Sequence, residues 1–314
     1  MIQQQTASQT FKTRDASSYD AVTNQFDLFT ERLSRPLAAR LIELAYLKPS
    51  EHVLDVGTGT GVIALPAAEH VGRNGKVIGI DLSEGMLARA QAKAERAGLG
   101  DRVEFRRMDA ETLELEDQSF DAALSLFALF HFPNPLSAIK EMFRVLRPNG
   151  RLVLAVGSGP PLLSPSGLIQ GCRHLRQMWL IRRGKLLTGP SFLNRLLEKH
   201  FPESDEPEET SLAKHSSNRT RNVPPLIRQA AFVEIRTYWQ GNEAIIETPE
   251  EFWDIQSTFS SIARKRLSNA PSEKVETLRD EFLETCRRVQ SRGGQLVYPF
   301  AAFYVAAKRP LTSR

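Results

Sequence analysis

The stretch Val53–Leu65, VLDVGTGTGVIAL, constrains this chain more than any other. An apolar run ends in three glycines at alternate positions, Gly57, Gly59 and Gly61, and a second apolar run follows. A bare turn between a strand and a helix lets a ligand touch the backbone and lie over the helix N-terminus. The dinucleotide fingerprint needs its third glycine at the sixth position of the turn. Here that position is Val62. Asp55 is expected to set a carboxylate at the mouth of the loop. It would repel a pyrophosphate and favour a cationic group such as an ammonium, which argues against a nicotinamide-dependent dehydrogenase.

The texture around this stretch alternates. HVLDVG, KVIGID, RVEFRRMD, SFDAALSLF and RLVLAVG read as short apolar strands. Between them lie helical segments: VIALPAAEHV, then SEGMLARAQAKAERAG with Ser83 as N-cap and Gly98 as stop, then NPLSAIKEMFRVL capped by Asn134 with Pro135 in its first turn. Strands of this kind, alternating with helices, predict an α/β fold with a doubly wound, mostly parallel sheet. Residues 18–47 read as helical cover. Residues 158–230 read as a variable helical lid insertion, and residues 231–314 as closing strands with two inserted helices over 249–292. Residues 1–17 are polar and expected to be a disordered tail.

Two further carboxylates fall at strand ends. Asp81 closes the second strand, where it can accept hydrogen bonds from both hydroxyls of a ribose. Asp109 closes the third, where it can accept from an adenine amino group while the Ala110 amide donates to the ring. With Asp55, they describe an adenosine carrying an amino-acid tail.

The bulk properties bound the rest. The 314 residues suit one large domain or one domain with a sizeable insertion. A formal charge of +4, from 41 basic and 37 acidic side chains, is too weak and mixed to point to nucleic acid. The two cysteines, Cys172 and Cys286, form neither a disulfide framework nor a metal pattern, and no metal is expected. No run suits a signal peptide or a membrane span, so a cytoplasmic protein is expected.

The segments VLDVGTGTG, VIGIDLSEGML, VEFRRMDAETL, SFDAALSLFALFHFPNP and EMFRVLRPNGRLVLAV together resemble the class I S-adenosylmethionine-dependent methyltransferases. The small-molecule branch that includes ubiquinone and menaquinone C-methyltransferases is the most similar. The resemblance implies a seven-stranded sheet of order 3-2-1-4-5-7-6 with the last strand antiparallel. It implies that Asp55, Gly57, Gly59 and Gly61 hold the methionine and ribose portion of the cofactor, Asp81 the ribose, and Asp109 with Ala110 the adenine. Leu82 and Met86 would flank the base, and Ser125 and Leu126 would line the pocket near the methyl group. Thr58 stands where many relatives carry cysteine.

The acceptor should be met by residues outside this shared core. Tyr19, Phe26, Phe29, Phe127, Phe130, Trp179 and Trp253 are the candidate lining, and their aromatic character suggests a flat or lipophilic small molecule. His131, just after the fourth strand, is the candidate general base. The basic stretch Arg173–Lys199 could touch a membrane surface, steer an anionic substrate, or be a solvated face countered by the acidic ESDEPEE. A cofactor-binding module without catalysis remains the alternative. A nucleic-acid methyltransferase is disfavoured because SLFALF follows strand four in place of an Asn/Asp-Pro-Pro-aromatic motif. Nothing in the sequence separates a monomer from a homodimer.

Overall fold

The computed structural model describes residues 2–159, 165–202 and 219–311. The expected ESDEPEE loop lies outside the described residues. Five parallel strands form the centre: β1 (His52–Val56), β2 (Lys76–Asp81), β3 (Val103–Arg107), β4 (Phe120–Leu126) and β5 (Leu146–Gly157). β8 (Gln295–Lys308) runs antiparallel to β5, and β7 (Val233–Ile246) runs antiparallel to β8. The expected order therefore appears, with β7 and β8 as its sixth and seventh members. An eighth strand was not expected: β6 (Leu186–Thr188), from the insertion, pairs parallel with the start of β8. At three residues it is too short to carry a periodic signal.

The sheet is covered on both faces because its strands are apolar on both. Successive side chains point to opposite sides, so Leu54 and Val56 join one buried cluster while Val53 joins the other. The first cluster lies under α6 (Pro135–Val145), through Ile139 and Met142. The second lies under α3 (Arg35–Ala45) and α4 (Ala64–Val71), through Leu37, Leu41 and Ala67. The predicted caps form: Ser83 accepts from the Met86 amide at the start of α5 (Glu84–Arg96), and Asn134 accepts from Ser137 at the start of α6.

Two expectations need correction. Of the expected tail, residues 2–17 are helical: Ile2–Asp20 is a helix, α1, in which Lys12 and Asp15 are buried. The segment lacks glycine and proline, and its charged groups find partners only in the folded core. Residues 249–292 hold three helices, not two: α10 (Pro249–Phe259), α11 (Ser261–Asn269) and α12 (Ser272–Ser291). Ser260 leaves helical geometry and caps α11 by accepting from Ala263, and Pro271 breaks the chain again before α12. These helices, with α8 (Ser191–His200), build a third cluster around Phe252, Phe282 and Leu193. Among the described residues no helix is long and apolar enough to cross a membrane.

Candidate active site

A cavity of about 1320 Å³ opens over the carboxyl ends of β1, β2, β3 and β4, the edge at which open α/β sheets take ligands. The glycine turn forms its floor. Gly57 has φ +71°, and a Cβ there would lie 2.2 Å from the Ala128 Cβ, so the turn and the β4 loop can meet only without a side chain. At Gly59, φ is +52° and the nearest atom to an added Cβ is 4.0 Å away on Phe26. That backbone faces open space.

Asp81 braces the turn. One carboxylate oxygen accepts from the Gly59 amide at 2.9 Å and the other from the Ser83 amide at 3.0 Å. Burial pushes this carboxyl up, despite those amides. Asp109 accepts from the Glu111 amide at 3.0 Å and from Lys12 Nζ at 2.7 Å, and Lys12 also lies 2.9 Å from Glu111. Leu82, Met86, Ala110 and Leu126 line the same space. Together these groups offer carboxylate acceptors beside apolar walls, a setting for a hydroxylated, flat, nitrogenous ligand.

Asp55 does not stand at the mouth. It is almost fully buried beneath the turn, where it accepts from the Thr58 hydroxyl at 2.7 Å. Burial, with a further push from the charge of Asp81, raises its carboxyl to about 7. Thr58 lines the cavity, whereas Asp55, Gly61 and Ser125 are not among the lining residues. A strand-end position signals proximity to the site, but the side chain of Asp55 points into the fold.

His131 does reach the cavity, and the helix expected to be a tail meets it there. Its Nδ1 lies 2.8 Å from an Asp15 carboxylate oxygen, and its Nε2 lies 3.3 Å from the Tyr19 hydroxyl. A carboxylate only accepts, so Nδ1 donates to Asp15. Burial pushes the Asp15 carboxyl up, but His131 and Lys265 more than offset it and hold it well below the usual range. Arg264 stacks over the Tyr19 ring at 3.9 Å, and Asp20 accepts from Ser83 Oγ at 2.6 Å and Gly85 N at 3.0 Å. Sequence reasoning missed Lys12, Asp15, Asp20, Arg264 and Lys265. The available signal was Phe11, Asp15 and Tyr19, spaced four apart on one helical face.

Of the predicted acceptor lining, Tyr19, Phe26, Phe127 and Phe130 border the cavity. Phe127 does so with φ +64°, a strained conformation for a bulky residue, directly after β4. Phe29 and Trp253 instead pack inside the third cluster. Trp179 is exposed on α7 (Pro165–Arg182), with Arg183 stacked on it at 4.0 Å. Aromatic content alone could not distinguish a ligand wall from a core.

The fold and this ligand edge define a Rossmann-like, nucleoside-binding α/β protein. Residues 53–150 match a family model described as a methyltransferase domain. A demethylmenaquinone methyltransferase of Lactiplantibacillus plantarum is 38% identical over 152 residues, covering 48% of this chain and 63% of that protein. The aklanonic acid methyltransferase DauC of Streptomyces sp. (strain C5) is 30% identical over 188 residues, covering 55% of this chain and 84% of that protein. Among solved structures, the [4+2]-cyclase SpnF superposes with a TM-score of 0.56 at 18% identity, covering 95% of this chain and 96% of its own. That likeness speaks to the fold alone. The chain belongs to the S-adenosylmethionine-dependent methyltransferases.

Proposed function

We propose that this chain methylates a small aromatic or lipophilic acceptor, on oxygen or carbon, inside the cavity over β1–β4. The observation that carries the reading is the convergence of the bare Gly57–Gly59 turn, Asp81, Asp109 and His131 on one cavity. The residues fit S-adenosylmethionine. Asp81 would take the ribose hydroxyls, Asp109 with the Ala110 amide the adenine edge, and Leu82 and Met86 the faces of the base. Bound there, the cofactor supplies an activated sulfonium methyl for in-line displacement.

The chain's own part is positioning and proton transfer. For an oxygen acceptor, His131 Nε2 takes the hydroxyl proton in place of its contact with the Tyr19 hydroxyl, while Asp15 orients the imidazole through Nδ1. Phe26, Phe127 and Phe130 keep water from the reacting atoms. The relatives named for demethylmenaquinone and aklanonic acid support an organic acceptor of this kind.

Calorimetry with S-adenosylmethionine and with NADH, then labelled cofactor with a panel of phenols, quinols and fatty acids, tests the reading. Binding of NADH alone would overturn it. Cofactor binding without product across the panel would favour a module that has lost catalysis. A cytoplasmic location and a monomeric or homodimeric state accompany this reading. So does peripheral membrane contact through exposed Leu175, Met178 and Trp179 of α7. Fractionation and light scattering check these.

A further inference from the structure

One face of α1 is met by a helix distant in the chain. Phe11, Asp15 and Tyr19 recur every four residues along α1. Two successive residues of α11 close over them. Arg264 stacks on the Tyr19 ring at 3.9 Å, while Lys265 Nζ lies 2.8 Å from Asp15 Oδ1 and 4.7 Å from the centre of the Phe11 ring. Phe26 of α2 (Thr23–Phe29) meets Tyr19 edge-on at 5.4 Å between centroids. The Asp15 carboxylate is thus divided between two partners. Its Oδ1 faces Lys265, and its Oδ2 lies 2.8 Å from His131 Nδ1. The Asp15 side chain is 7% exposed and that of Lys265 18%, so water and salt screen this arrangement little.

A carboxylate at hydrogen-bond distance from an imidazole favours the imidazolium. That form has no lone pair left with which to take a proton, so a carboxylate acting on the ring alone confines the base to higher pH. A second cation on the same carboxylate opposes the positive charge on the ring and moderates that pull. Among the described residues, Asp15 and Tyr19 face His131 from α1, and Asp81 acts on it from the end of β2. Arg264 and Lys265 reach it from α11 through Tyr19 and Asp15. Lys12, also on α1, is taken up by Asp109 and Glu111. Lys265 is therefore the cation that shares the carboxylate bonded to the ring.

We propose that Lys265 is a positioning residue for the methyl transfer: by sharing the Asp15 carboxylate with His131, it fixes that carboxylate on Nδ1 and moderates its pull toward the imidazolium. This deepens the reading above and rests on it, but the coupling of Lys265 to the imidazole is measurable without turnover.

Two measurements on the full chain test it. The first follows the His131 ring by NMR across pH with S-adenosylhomocysteine bound, His131→Asn identifying its signal. Lys265→Met keeps an unbranched stem against Phe11 and removes the charge, and its imidazole signal should titrate about one pH unit higher than the parent's. Lys265→Gln, a second neutral variant, should shift the signal the same way. Lys265→Arg, which keeps the cation, should restore the parent titration. The second measurement is the pH profile of kcat/KM with an oxygen acceptor. Its acidic limb should rise by the same amount in both neutral variants, with rates at high pH within about twofold of the parent. A role confined to holding α11 against α1 would instead lower the rate at every pH and move neither titration. Unchanged affinity for S-adenosylhomocysteine reports that the variants fold. An unmoved titration in both neutral variants, a shift to lower pH, or no restoration by Lys265→Arg would each overturn the proposal. The expected NMR shift in a chain that transfers no methyl group would overturn the methyl-transfer reading and leave the Lys265–Asp15–His131 coupling standing.

Discussion

The carboxylate of Asp15 lies 2.8 Å from Nδ1 of His131, although 116 positions of chain separate them. The pair joins α1 to the loop after β4, so the N-terminal helix orients the imidazole, the base of the proposed reaction. His131→Ala should therefore lower kcat about 100-fold with cofactor affinity nearly intact. Asp15→Asn should lower it about tenfold, and the double variant should be no slower than His131→Ala, because the two act as one unit. Steady-state kinetics on all three variants, with calorimetry for the cofactor, checks this. Additive losses would mean that Asp15 does not act through His131.

Asp15 also bears on acid stability. Its carboxyl is held below its ordinary value by His131 and Lys265, against the opposing effect of burial. A depressed carboxyl contributes stability above its unfolded pKa, near 4, and that contribution is lost as pH falls through the lower folded value. Asp15→Asn should cost on the order of 1–2 kcal/mol at pH 7, and the difference should shrink steadily below about pH 4. Urea melts at pH 7 and pH 3 measure it.

Asp55 carries the opposite sign. Burial, above all, raises its carboxyl from 3.8 to about 7. The folded state thus holds the proton more tightly than the unfolded chain, and stability falls as pH rises from about 4 to about 7. Asp55→Asn keeps an acceptor for the Thr58 hydroxyl and removes the titration. It should match the parent near pH 4 and exceed it by on the order of 2 kcal/mol above pH 7. Thermal melts across that range provide the comparison, and a deficit at pH 8 would contradict the prediction.

Asp81→Ala should weaken S-adenosylmethionine binding by on the order of 1.5–3 kcal/mol, the loss of charge-assisted hydrogen bonds. Part of that loss should come through the Gly59 and Ser83 amides that the carboxylate now engages. Asp81→Asn, which keeps one acceptor, should fall between the two. Unchanged affinity in calorimetry would show that the ribose is held elsewhere.

Gly57→Ala sets a methyl against Ala128, whose Cβ lies 2.2 Å from the built position, and forces φ +71° on a side chain. The β4 loop that bears His131 would have to move. We expect about 1–3 kcal/mol of destabilisation and loss of cofactor binding, read by thermal melt and calorimetry. Gly98→Ala, at a positive φ with nothing within 4 Å of the added Cβ, serves as a control that isolates the effect of the contact from that of φ.

The sequence by itself determined the sheet and its ligand edge. Runs such as VLDV and VIGI can only be strands buried on both faces. The bare turn after β1 and the strand-end Asp81 and Asp109 are local features that carry their geometry with them. Tertiary structure alone decided which side chains meet. Asp55 and Asp81 look alike at the ends of neighbouring strands, yet one turns beneath the loop and the other lines the cavity. Phe26 and Phe29 lie three residues apart, yet one borders the cavity and the other packs in a core. The N-terminal helix has no strong apolar face of its own. Its charged side chains pair with Asp109, His131 and Lys265, which are distant in the chain, so the four-residue spacing of Phe11, Asp15 and Tyr19 shows a helical face but not what that face meets.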